Sequence, residues 1–315
     1  MLYDYPPPKN TLGKWLDQIS KTKGRLGHLL LEQRDGIDLE AVCNGLQPYF
    51  ESAHLDARKR FHDFVQIDLH PDATSGGPHH QYPNSLPWNV ISGYFGEVTA
   101  GLVVQAYDLV GNHKWEIPVF LFQEDGDAQQ RIFELVGGSR KSSDRKLPGR
   151  RGSDCVAIVI SKSGTVERVL MGEAKWRSTL RPSDVKTIMH GDNNKRGVYA
   201  DLNANTEMPY GLMQLAKILM EMEQPKYDPT IESIFNAWKN KDTSPLPRTD
   251  LVLIAGNRAV RRKKGDTNLP TSVIPKDYKP KDRNLQFVEL VLENGNDLIT
   301  NLYHTLYDKE KDDGA

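Results

Sequence analysis

The sequence predicts an α/β fold, a β-sheet covered by helices. Two apolar runs, residues 250–255 and 285–292, are long enough to be strands buried on both faces, which is typical of parallel strands. Strand patterns alternate with helical patterns along most of the chain, as they do in α/β proteins. The 315 residues are 38% hydrophobic and 26% charged, a balance that allows a sizeable core.

The first 87 residues predict a mostly helical N-terminal region. Residues 26–31 and 37–46 show short helical periodicities, which are interrupted at Gly36 and Pro48. A polar stretch at residues 72–83 is rich in turn-forming residues and has no periodicity. We therefore expect residues 1–87 to form a helical elaboration that ends in a surface loop.

The main domain is expected at residues 88–307, followed by an acidic, frayed tail at 308–315. Helical patterns cover residues 88–109, 183–189, 210–222 and 296–307. Strand patterns cover residues 117–123, 155–160 and 166–176 in addition to the two apolar runs. A Gly-containing turn at 161–165 separates two of these strands, and a basic loop at 137–152 precedes them.

Composition excludes several classes of protein. No run approaches the roughly eighteen consecutive apolar residues of a membrane span. The N-terminal residues have neither the basic start nor the apolar core of a signal peptide. Two cysteines, Cys43 and Cys155, fit a reducing compartment and are too few for a structural zinc site. We therefore expect a cytoplasmic protein, and its net charge of −1 means that a polyanion would bind a local patch.

Three charged residues are expected to converge at one end of a predicted hairpin. With the turn centred on Ser163, Asp154 and Gly172 lie equally far from the centre and face each other across the two strands. Glu173 is then a neighbour of Asp154, within the about 5–8 Å that cross-strand neighbours span. Glu173 and Lys175 are two residues apart, so they point to the same face of their strand.

This arrangement predicts a metal site. Two carboxylates at that distance repel each other unless a cation lies between them, and hard oxygen ligands suit Mg²⁺ or Mn²⁺. A metal there would activate water for attack on a phosphodiester, and Lys175 could orient that water or stabilise the developing charge. The alternative is a surface hairpin on which Glu173 or Asp154 forms a solvated ion pair with Lys175.

The same residues resemble the PD-(D/E)XK, or restriction-endonuclease-like, nuclease superfamily. The motifs are FGEV with Glu97, GSD with Asp154, GEAK with Glu173 and Lys175, and GLMQL with Gln214, and Ser153 stands where the superfamily motif has proline. The resemblance implies a mixed sheet flanked by helices, metal binding by Asp154, Glu173 and Glu97, and catalytic roles for Lys175 and Gln214. More narrowly, the motifs are similar to nucleases of bacterial anti-phage defence, including Hachiman-type effectors that work with a helicase.

Two basic segments are candidate phosphate contacts. Lys146, Arg150 and Arg151 precede Asp154, and Arg261, Arg262 and Lys263 follow a predicted strand. A run of charges is also what an ordinary solvated surface shows. The expected function is a metal-dependent nuclease acting on nucleic acid; DNA is favoured over RNA, but the sequence decides neither this choice nor the oligomeric state. The alternative is a nucleic-acid-binding subunit whose nuclease fold is degenerate or gated by a partner protein.

Overall fold

A computed structural model describes residues 5–66, 86–122, 153–204, 210–240 and 245–308. The described helices are α1 (Lys9–Trp15), α2 (Leu39–Gln66), α3 (Trp88–Ala106), α4 (Pro182–His190), α5 (Val198–Ala204), α6 (Tyr210–Glu221), α7 (Asp228–Lys239) and α8 (Gly295–Asp308). The described strands are β1 (Leu16–Lys23), β2 (Leu26–Gln33), β3 (Cys155–Ile160), β4 (Val166–Leu180), β5 (Arg248–Arg258) and β6 (Asn284–Leu292).

The six strands form one mixed sheet in the order β1-β2-β6-β5-β4-β3. The four central strands are parallel to one another, and an antiparallel strand flanks them on each side. β5 and β6 are buried along almost their whole length, as their continuous apolar runs predict. The predicted α/β class is therefore confirmed.

Helices cover both faces of the sheet. The α3 face is covered by α2, α3 and α8, and the α6 face is covered by α4, α5, α6 and α7. Alternation along each strand sends side chains to the two faces in turn. On β4, Gly172 and Ala174 lie on the α3 face, whereas Met171, Glu173 and Lys175 lie on the α6 face.

The N-terminal region differs from the prediction. Residues 16–33 form a β-hairpin rather than helices, and β2 extends the sheet by pairing in parallel with β6. Leu29, Leu30 and Leu31 are all buried, because both faces of β2 are covered. Leu29 and Leu31 pack into the core on the α3 face of the sheet, and Leu30 packs into the core on the α6 face. A short apolar run has the same appearance in a buried strand and a buried helix, which explains the wrong prediction. Residues 39–46 are helical as expected, although α2 continues through Pro48.

Two further differences affect the neighbourhood of the site. Residues 117–122 form no strand, and only Glu116 makes an isolated bridge, to Ile158. Helices α5 and α7 were not predicted. The basic loop at 137–152 and the polar stretch at 72–83 lie outside the described residues. Of the predicted tail, Asp308 ends α8 and residues 309–315 lie outside the described residues. Within the described ranges, no helix has both the length and the apolarity to cross a membrane.

Candidate active site

The β3–β4 hairpin has a β-bulge that sets the register of the site. Ile160 pairs with Val166, as a turn centred on Ser163 predicts, but Val159 pairs with Arg168. Glu167 is therefore the extra residue of the bulge. From there to the end of β3 the pairing is shifted by one residue, so that Cys155 rather than Asp154 lies opposite Gly172. Because of this shift, Asp154, which directly precedes β3, lies opposite Glu173 rather than opposite Gly172.

Asp154, Glu173 and Lys175 meet as the sequence predicts. The backbone N–H of Ala174 donates to Asp154 Oδ2 over 2.8 Å, which fixes the carboxylate across the hairpin. Lys175 Nζ lies 3.1 Å from Asp154 Oδ2 and 3.1 Å from Glu173 Oε2. The two carboxylate side chains are only 13% and 16% exposed, so this is not the solvated ion pair of a surface hairpin.

The electrostatics of the three groups favour cation binding. Burial, reinforced by the charge of Asp154, raises the pKa of Glu173 to about 7, although Lys175 opposes the shift. Burial works against the charge of Lys175, but the carboxylates of Asp154 and Glu173 outweigh it and raise the pKa of the ammonium. Lys175 is therefore a fixed positive charge and not a proton acceptor near neutral pH. Glu173 is a carboxylate that needs a further positive charge to be fully ionised.

Glu97 lies on α3, the helix that packs on the face of the sheet opposite to Glu173 and Lys175. A Cβ placed on Gly96 would lie 3.4 Å from Ala174 Cβ, so α3 packs closely on the α3 face of β4. Burial, then Glu97, then Asp154 raise the pKa of the Cys155 thiol, which places both carboxylates near this side chain. Glu173 and Lys175 project from the opposite face of β4. The role of Glu97 as a metal ligand stays a prediction.

The described residues include no cluster of three or more His, Cys, Asp or Glu side chains arranged to hold a metal ion. Glu97 lies on α3, whereas Asp154 and Glu173 belong to the β3–β4 hairpin. The described part of the chain thus supplies two adjacent carboxylates and one ammonium. A metal would need its remaining ligands from water or substrate, as Mg²⁺ commonly does.

Gln214 lies on α6, nearly one helical turn after the point where α6 meets β3. A Cβ placed on Gly211 would lie 2.9 Å from Val156 Cγ2 and 3.7 Å from the Ser153 nitrogen. Only glycine allows so close an approach, and it brings the start of α6 beside the residue that precedes Asp154. Gln214 itself is partly buried. A contact between Gln214 and the acidic pair stays a prediction.

The basic run at 258–264 does not flank the acidic pair. Arg258 ends β5, and the rest of the run lies in the long connection at residues 259–283, which packs near β1 and β2. Lys264 Nζ lies 2.8 Å from Asp17 Oδ2 on β1, and the Gly265 N–H donates to Glu32 on β2 over 2.8 Å. The strand order places β6 and β5 between β2 and β4, so the separation is about three strand spacings, or roughly 14 Å.

Within this run, the predicted phosphate contact of Arg262 needs correction. Its side chain is 4% exposed, and Nη2 lies 3.0 Å from Glu289 Oε2 in a buried ion pair. It is therefore part of the internal structure and not a phosphate contact. Arg261 and Lys263 are exposed, but they belong to the part of the connection that packs near β1 and β2, away from the acidic pair. The other predicted contacts, Lys146, Arg150 and Arg151, lie outside the described residues.

The structure adds two residues that the sequence analysis missed. Arg177 is exposed and lies two residues after Lys175, on the same face of β4. This spacing is visible in the sequence and could have been used. Asp201 on α5 contributes to the raised pKa of Glu173, which places a further negative charge near the site. Nothing in the sequence indicates Asp201, because its position depends on how an unpredicted helix packs.

The fold and site define an α/β protein with a partly buried Asp–Lys–Glu cluster on two adjacent strands of a mixed sheet. No model of a known protein family matches the sequence, and no curated protein matches it.

Proposed function

We propose that this protein is a divalent-metal-dependent nuclease that hydrolyses phosphodiester bonds of nucleic acid. The observation that carries the proposal is the lysine ammonium held 3.1 Å from each of two partly buried carboxylates on neighbouring strands. Burying two carboxylates and one ammonium leaves a net negative charge, which is costly unless a further cation is bound. The motif resemblance to PD-(D/E)XK nucleases supports the same assignment.

The residues of the cluster fit Mg²⁺ or Mn²⁺. Asp154 and Glu173 offer the hard oxygen ligands that these ions prefer, and Glu173 has a pKa near 7, which a bound cation would lower. When bound, the metal polarises the phosphate and increases the acidity of the attacking water. We assign to Lys175 the orientation of that water and the stabilisation of charge on the phosphate oxygens. Asp154 keeps Lys175 charged and in place.

One exposed side chain beside the cluster supports a nucleic-acid substrate. Arg177 presents a guanidinium on the strand face that carries Glu173 and Lys175, where it can contact a neighbouring phosphate. A DNA substrate and a role in anti-phage defence, with a helicase or another defence subunit as partner, rest on the motif resemblance.

A partner-gated or degenerate nuclease is the second candidate. It is favoured by the finding that the described residues provide two clustered carboxylates rather than three metal ligands. A protein or nucleic-acid partner that moved α3 would bring Glu97 closer to Asp154. In this case the isolated chain binds nucleic acid but does not cut it.

The experiment is cleavage of plasmid, single-stranded DNA and RNA by the purified protein, with Mg²⁺ and with EDTA. The test variant is Glu173→Gln, and the matched control is Glu167→Gln, an exposed glutamate on the same strand. We expect Mg²⁺-dependent cleavage that falls about 100-fold or more in Glu173→Gln and is unchanged in Glu167→Gln. Equal cleavage by both variants would contradict the site. Tight binding without cleavage by the wild type would support the partner-gated alternative.

A further inference from the structure

A groove between α6 and α7 forms a second concave surface, separate from the acidic pair. Its volume is about 830 Å³. The apolar part is formed by Leu219, Met220, Ile231, Phe235 and Trp238. This size fits a few large side chains of a peptide.

Two large apolar side chains of the groove are exposed. Met220 is 51% exposed and Trp238 is 48% exposed. Single exposed apolar residues are common on protein surfaces, but two large ones lining the same groove indicate a binding surface. Tryptophan is also among the residues that contribute most to binding energy at protein interfaces.

The charged residues that line the groove indicate which kind of segment would bind there. Three carboxylates line it, those of Glu223, Asp228 and Glu232, against one ammonium, that of Lys239. All four residues are exposed. An apolar groove with an acidic rim is complementary to a segment that combines large apolar side chains with lysine or arginine. Glu223 has a positive φ of 49°, a conformation that costs energy in a non-glycine residue.

The two helices of the groove contact both ends of the hairpin that carries the candidate active site. On α7, Thr230 Oγ1 donates to the Gly164 carbonyl over 2.9 Å, and Ser233 Oγ accepts from the Val166 N–H over 3.0 Å. On α6, Gly211 packs against Val156 and the Ser153 nitrogen, next to Asp154. A ligand that changed the distance between α6 and α7 would therefore act on the strands that hold Asp154 and Glu173.

We propose that the α6–α7 groove docks a short, basic, amphipathic segment of a partner protein, with a large apolar side chain packed between Met220 and Trp238. Occupancy changes the activity of the adjacent hairpin, and this second part rests on the proposed nuclease function. Docking itself does not depend on catalysis.

The binding test uses a fluorescein-labelled synthetic peptide of about four helical turns, with leucine at helical spacing on one face and lysine elsewhere. Its control replaces every lysine by glutamate. Anisotropy titrations compare wild-type protein with Trp238→Ala and Glu232→Lys. The matched controls are Trp88→Ala, another exposed tryptophan on α3, and Glu167→Lys. We expect about tenfold weaker binding for each groove variant and no change for the controls.

Several outcomes would overturn the docking proposal. They are absence of binding, equal binding of the acidic peptide, or wild-type affinity in both groove variants. Loss of binding in Glu173→Gln would place the peptide at the acidic pair instead. A concentration-dependent dimer that Trp238→Ala dissociates would assign the groove to a second copy of the chain.

The cleavage assay is then repeated with saturating peptide. A rate change of threefold or more in the wild type, absent in Trp238→Ala, supports the coupling between groove and hairpin. An unchanged rate with intact binding overturns the coupling and leaves docking in place. If the protein cuts no nucleic acid with or without bound peptide, the proposed nuclease function fails while docking stands.

Discussion

Two glutamates on the α6 face of the sheet, the buried Glu289 and the partly buried Glu173, have opposite environments. Glu289 on β6 accepts hydrogen bonds from His28 Nε2 over 3.0 Å, from Arg262 Nη2 over 3.0 Å and from the backbone N–H groups of Asn268 and Leu269, each over 2.9 Å. Burial works against its charge, but these donors outweigh burial, and the pKa of Glu289 is lowered. Glu173 on β4 has one such partner in the described part of the chain, Lys175, and its pKa is raised to about 7.

The difference shows what distinguishes a structural carboxylate from a candidate ligand. Both side chains are at least partly buried and both lie next to a cation, so burial and ion pairing alone do not identify a site. Glu289 has enough hydrogen-bond donors to stay ionised. The same hydrogen bonds attach the connection at residues 259–283 to the sheet. Glu173 has a single donor among the described residues, Lys175, and it lies beside the negative charge of Asp154, which makes it suited to bind a metal ion.

The largest effect is expected on stability, when each glutamate is replaced by glutamine. Glu289→Gln leaves the buried Arg262 guanidinium without its carboxylate and should lower the free energy of unfolding by about 3–5 kcal/mol. Glu173→Gln should not lower it, because a carboxylate with a raised pKa is replaced by a neutral group. Urea unfolding monitored by circular dichroism at about pH 8 measures both. Equal destabilisation by the two variants would remove the distinction.

The second prediction concerns pH. The pKa of Glu173 is about 7 in the folded protein against 4.5 as its ordinary value, so folding takes up a proton between these values. This group therefore lowers stability as the pH rises from about 4.5 to about 7. In EDTA, Glu173→Gln should be more stable than wild type by roughly 1–3 kcal/mol at about pH 8, with the difference vanishing near about pH 4. A constant difference across this range would contradict the raised pKa.

The third prediction compares two exposed arginines at different positions along the strand order of the sheet. Arg177 lies beside the acidic pair, whereas Arg261 belongs to the connection that packs near β1 and β2. Arg177→Glu should weaken binding of a DNA duplex about tenfold in Ca²⁺, since it removes one phosphate contact and adds repulsion. Arg261→Glu should change binding less than about twofold. The reverse order would restore the basic run at 258–264 as the nucleic-acid surface.

The candidate site was predictable from the sequence because most of it is local. Two matched strands around a short turn bring Asp154, Glu173 and Lys175 together by local pairing, which does not require contacts with distant segments. The register was not predictable to the last residue, because the bulge at Glu167 has no clear sequence signal. The placement of Arg262 required the strand order, which depends on contacts between distant segments. The hairpin at residues 16–33 is local and was missed for a different reason, because the short apolar run of β2 looks the same in a buried strand and in a buried helix.

The most direct test is binding of Mn²⁺, followed by electron paramagnetic resonance at about pH 8, where Glu173 is ionised. The samples are wild type, Asp154→Asn and the control Glu167→Gln. We predict a bound Mn²⁺ in wild type and in Glu167→Gln, with at least about tenfold weaker binding in Asp154→Asn. Binding of equal strength in wild type and Asp154→Asn, or no binding in any sample, would contradict a metal site at the Asp154–Glu173 pair.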